Sequence, residues 1–143
     1  MTGEQFPEEF LRGISNIDFV KDGQVLPSAF QFDDADRDDG KMEASINWLD
    51  DEGAIAVALN QTKDNGKIQF PGGVARIEVA FAKQILRNFS QKEFSYERAP
   101  LKNNKYHGNL LLASSLHKQR RHMLMTGLAL AAGTNIITKQ DEI

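Results

Sequence analysis

The chain has no cysteine, which excludes disulfides, thiol nucleophiles, cysteine-ligated zinc and iron–sulfur clusters. A thiol-free chain suits a reducing compartment, and a cytoplasmic protein is expected. Long apolar runs are also missing. The longest nearly apolar stretch, Met123 to Ala132, is interrupted by Thr126 and Gly127 and falls far below the roughly 20 residues that span a bilayer, so no membrane partner is expected. The first ten residues are acidic and lack the basic and apolar regions of a secretory leader, so none is expected there. No Walker motif or Gly-x-Ser-x-Gly elbow occurs, and Gly72-Gly73 precedes a strand rather than opening a helix as a phosphate loop would.

Metal-ligand patterns fail on spacing. His117 and His122 lie five apart on a predicted helix, which separates them by roughly 140°, whereas zinc-binding helices use a spacing of four. Asp34, Asp36 and Asp38 have the spacing of the first EF-hand ligands. However, Asp39 stands where the loop needs glycine, and Ser45 where it needs a bidentate glutamate. The expectation is a solvated acidic loop, with no metal and no cofactor.

What is present is an ordinary globular composition: 143 residues, 41% hydrophobic and 26% charged, enough for one core. The net charge of −3 hides a segregation. Residues 1–60 carry 14 acidic and four basic side chains, a net −10, and residues 61–143 carry six acidic and 13 basic, a net +7. One half can cover the other electrostatically, or partners of opposite charge can be engaged.

Along the chain, Pro7 to Arg12 reads as a short helix, with proline early and acids in its first turn. Asp22-Gly23 is a turn, and Gln24 to Phe32, broken by Pro27, suits an edge strand or extended loop. Met42, Ala44, Ile46 and Trp48 alternate onto one strand face. Asp50 or Asp51 caps a helix through Leu59, and Asp64-Asn65-Gly66 turns the chain. After Pro71-Gly72-Gly73 a strand runs from Val74 to Phe81, then helical spacing takes over with Phe81, Ile85, Leu86 and Phe89 on one stripe. Phe94, Tyr96 and Arg98 mark a further strand, and Leu110 to Ala113 another. Ser114 or Ser115 caps a last helix, with Leu116, Met123, Leu124, Gly127, Leu128 and Ala131 as its stripe and Gly133 as its end. The connections are too short for parallel crossovers. The expected fold is a single α+β domain over residues 1–133, with a mixed or mainly antiparallel sheet and about three packed helices, and residues 134–143 as a loosely ordered tail.

Candidate binding groups concentrate near the C-terminus. The run Pro100 to Asn109 carries Asn103, Asn104, Tyr106, His107 and Asn109 between apolar segments, a loop composition suited to binding. Lys118, Arg120 and Arg121 form a basic cluster able to contact phosphates, but no aromatic platform accompanies it, so nucleic acid is the weaker reading.

Three segments, Leu11-Arg12-Gly13-Ile14 with Asp22-Gly23 and Ser28-Ala29-Phe30, then Ala44-Ser45-Ile46-Asn47, then Tyr106-His107-Gly108-Asn109, together resemble a group of small bacterial proteins with no assigned activity. A second likeness is to the ADP-ribosyltransferase fold. It implies that Arg12 pairs with a dinucleotide phosphate, Ser45 braces the nicotinamide pocket and Glu97 or His107 serves the ribose. The chain departs from that pattern in placing Arg12-Gly13 after a predicted helical turn. Three functions follow as expectations: a non-enzymatic interaction module with a protein partner or a second copy of itself; a small nucleotide-dependent enzyme on Arg12, Ser45 and His107; and a phosphate or nucleic-acid binder. The last helix, with Met123, Met125, Leu128 and Leu130 around it, serves either core or interface.

Overall fold

The computed structural model describes residues 6–34 and 37–139. Asp36 of the acidic loop and residues 140–143 of the expected tail lie outside them. The fold is α+β, an antiparallel six-stranded sheet with three helices and a separate two-stranded ribbon. In chain order the elements are β1 (Glu9–Gly13), β2 (Val20–Lys21), β3 (Gln24–Val25), β4 (Lys41–Trp48), α1 (Gly53–Leu59), β5 (Val74–Glu78), α2 (Val79–Ile85), β6 (Phe94–Arg98), β7 (His107–Ala113), α3 (Lys118–Ala132) and β8 (Ile136–Ile137). The sheet order is β6-β7-β4-β1-β5-β8, which leaves β6 and β8 as its edges.

Pro7 to Arg12 is not helical. Its core, β1, is a central strand paired with both β4 and β5. Phe10 and Leu11 are 0% and 1% exposed and enter separate apolar clusters on opposite faces. A strand covered on both faces loses the simple apolar–polar alternation by which strands are recognised. The Asp22-Gly23 turn joins β2 to β3 with φ of 53° and 77°, the twist that suits a two-residue hairpin.

Two side-chain layers follow from the alternation of β4. Ala44, Ile46 and Trp48 share one face with Phe10, Ala75, Ile77, Leu110 and Leu112, and α2 and α3 cover it. Glu43, Ser45 and Asn47 point to the other face, which α1 covers beside Leu11, Val74 and Tyr106. Glu52, not Asp50 or Asp51, is the residue at the N-terminal cap of α1, and it makes no side-chain cap; Asp51, one residue earlier, accepts the Gly53 N–H at 2.8 Å.

Other boundaries shift. The strand before α2 stops at Glu78, so Ala82 and Leu86 fill the core while Phe81 remains 48% exposed. Ser114 does not cap α3. Its hydroxyl donates to the Gly40 carbonyl at 2.7 Å, and α3 starts at Lys118 behind His117 with no side-chain cap. Leu124, Gly127, Leu128 and Ala131 pack inward, whereas Met123 and Leu130 are exposed. The tail is ordered as far as β8: Ile137 and Ile136 pair with Val74 and Ala75, so sheet pairing overrides the short segment's weak local signal.

Candidate functional site

The three residues proposed as catalytic do not converge. Arg12 lies on the helix-covered face with its strand neighbours Phe10 and Ile14. Ser45 and His107 lie on the other face, because Ser45 pairs with Asn109 and His107 with Asn47 in the β4–β7 ladder. The Arg12 guanidinium is spent on backbone carbonyls: Nε donates to Ala29 at 2.9 Å, and its terminal nitrogens donate to Ser45 at 2.7 Å and Gln31 at 3.3 Å. Burial pulls its pKa down to about 10, opposed by the charge of Asp33. It fastens residues 29–31, which follow β3, to the sheet, and it cannot act with Ser45 on one substrate.

Ser45 and His107 do share a cleft of about 210 Å³, whose other walls include Asn47, Gln61, Gln69 and Phe70. As diagonal neighbours across an antiparallel pair, their Cα atoms are roughly 7–8 Å apart. His107 Nδ1 lies 2.8 Å from the Ala99 carbonyl. A carbonyl only accepts, so Nδ1 carries the proton and Nε2 of the neutral ring keeps its lone pair. Among the described residues no carboxylate, lysine or arginine lines this cleft. It offers hydrogen bonds, but no partner that would orient the imidazole by charge or stabilise a developing anion.

The Asn-rich loop is a structural plug. Asn104 is 5% exposed and donates to Asn47 Oδ1 at 2.8 Å. Its own oxygen accepts the Tyr106 N–H, and the Tyr106 hydroxyl donates to Asp51 at 2.7 Å. That hydroxyl holds the Asp51 carboxyl below its ordinary pKa. Asn109 donates to Glu97 at 2.8 Å, while its buried Oδ1 has no partner among the described residues. Of the loop's side chains, Asn103 is exposed and His107 half-buried.

Glu97, the alternative ribose residue, belongs to another assembly. Arg37 lies against Glu97 at 2.6 Å and Glu43 at 2.9 Å, and it also pairs with Asp39. Because Glu43 and Glu97 flank β7, this guanidinium ties the acidic loop across the sheet and holds the Glu97 carboxyl below its ordinary pKa.

The basic cluster divides. Lys118 is exposed, and Arg121 is half-buried with an Nε that has no partner among the described residues. Arg120 reaches back to the turn between α2 and β6. It pairs with Glu93 at 2.6 Å, donates to the Asn88 carbonyl at 2.7 Å and lies 4.3 Å from the Phe89 ring centre. It thereby props the wall of a groove that sequence reading missed.

That groove, about 640 Å³, runs between α2 and β6 and is lined by Phe6, Leu86, Phe89, Phe94 and Tyr96, with Lys41, Lys83 and Arg87 around it. Its floor is an aromatic cluster: Tyr96 meets Phe94 at 5.1 Å, Trp48 at 5.7 Å and Phe10 at 5.8 Å between ring centres. Burial pushes the Tyr96 phenol up to about 12. Beside the groove lies the free edge of the sheet. The bonds from Ala99 N–H to His107 and from Ala113 N–H to the Glu93 carbonyl set the phase of the β6–β7 ladder. Even-numbered residues of β6 therefore point their backbone groups outward. Ser90 takes the Phe94 N–H, so the N–H and C=O groups of Tyr96 and Arg98 stay unpaired among the described residues. The alternation of Phe94, Tyr96 and Arg98 was legible as a strand, but its position at the edge was not. Compared with protein-family models, curated proteins and solved structures, the chain matches none.

Proposed function

We infer that this is a non-enzymatic interaction module of a bacterial cytosol, which binds a protein partner by adding a strand of that partner to β6. The observation that carries this reading is the free backbone edge at Tyr96 and Arg98 beside an aromatic groove. An unpaired edge supplies main-chain affinity, and pockets beside it select alternate side chains. Against the enzyme reading, Arg12 is turned to the opposite face from Ser45 and His107. Against nucleic acid, Arg120 is engaged by Glu93.

The test is native mass spectrometry of the protein from its own host, followed by hydrogen exchange on any complex. A co-purifying protein that protects the Tyr96 and Arg98 amides is expected. A partner that protects other amides and leaves these two in exchange would refute strand addition.

A further inference from the structure

We propose that the segment received at β6 is apolar at alternate positions and acidic on that same side. This deepens the strand-addition reading and rests on it. The groove beside β6 has cations around it, Lys41, Lys83 and Arg87, and among the described residues no carboxylate lines it. Lys83 and Arg87 are four apart and so stand on one side of α2 and its C-terminal turn. Neither they nor Lys41 makes an ion pair among the described residues, and the side-chain hydrogen bond of Arg87 goes to the Gln84 carbonyl. Lys41 acts on the nearby Asp39 carboxylate, whereas the charges of Lys83 and Arg87 beside this aromatic groove have no carboxylate partner among the described residues.

In an added strand, every second side chain falls on the face of Phe94 and Tyr96. Apolar side chains there cover Phe89, Phe94 and Tyr96, and a carboxylate among them reaches Lys83 or Arg87. Side chains on the alternate positions meet Ser95 and Glu97 instead. Arg37 already serves Glu97 there, so another acid on that side gains no cation. The charge pattern therefore selects both the sign of the partner and the side of its strand that bears the charge.

The probe is a capped synthetic peptide with valine, valine and glutamate at successive alternate positions and threonine between them. Its counterpart carries lysine in place of glutamate. Binding is read by backbone amide shifts and hydrogen exchange on the full chain. The acidic peptide is expected to bind about tenfold more tightly than the basic one, to protect the Tyr96 and Arg98 amides, and to weaken as salt is raised. The double variant Lys83→Glu/Arg87→Glu, its fold checked by circular dichroism, should reverse the preference.

Equal binding of both peptides with those amides protected would overturn the charge proposal and leave strand addition standing. Absence of binding by either peptide would remove both. Displacement of the acidic peptide by a medium-chain fatty acid that leaves those amides exchanging would reassign the groove to an acyl carboxylate and overturn the peptide.

Discussion

At the scale of single residues, several side chains with chemical promise turn out to be fasteners. Arg12 satisfies carbonyls of Ala29, Gln31 and Ser45. Hydrogen bonds from a charged donor contribute more than neutral ones, so Arg12→Met should cost about 2 kcal/mol of stability, read as a lower urea midpoint. An unchanged midpoint would mean that the three carbonyls are satisfied without it. Gly108 is constrained by space. A Cβ there would stand 2.3 Å from Trp48 Nε1 and 2.5 Å from the Glu97 carbonyl, which are themselves hydrogen-bonded at 3.1 Å. Gly108→Ala should therefore cost about 1–3 kcal/mol through overpacking. Gly66→Ala is the control: at φ +82° with no atom within 4 Å of the added carbon, it meets only the left-handed backbone penalty of about 1 kcal/mol. If the two variants unfold alike, the contact at Trp48 is not what constrains Gly108.

At the scale of elements, the turn between α2 and β6 is held from outside by α3. Arg120 keeps the Glu93 carboxyl down at about 2, with help from the Ser90 N–H. The folded-state value thus lies below the ordinary 4.5. The stabilisation is complete above that ordinary value and is lost as pH falls toward 2. Urea midpoints measured down this range should fall less steeply for Glu93→Gln than for the parent chain. Parallel profiles would show that the pair does not stabilise the fold. Elements with one covered face, such as β4 and β6, were legible because their side chains alternate. β1 was not, because Phe10 and Leu11 are buried on opposite sides. β8 is two residues long and exists through its pairing with β5. The cleft and the groove were beyond reach for a related reason: alternation tells which residues share a face, but not which strands are neighbours. Arg12, Ser45 and His107 could be named as polar candidates, but only the sheet order separates the first from the other two.

At the scale of the whole molecule, the segregated charges become interleaved. Arg76 pairs with Glu9, Arg98 with Asp50 and Arg37 with Glu97, each joining the acidic first part of the chain to the basic remainder. The sheet does the same with apolar surface, since β1 contributes Phe10 to one cluster and Leu11 to the other. Both faces should therefore unfold together. Fluorescence of the single tryptophan, Trp48, and far-ultraviolet circular dichroism should give coincident urea transitions. Separate midpoints would show that the α1 side melts independently. The central place of β1 also bears on synthesis. It leaves the ribosome well before its neighbours β4 and β5, and Glu9 waits for Glu78. Until then Phe10 and Leu11 stay uncovered on the nascent chain, so a strand at the centre of the finished sheet lacks its second neighbour until β5 has been made.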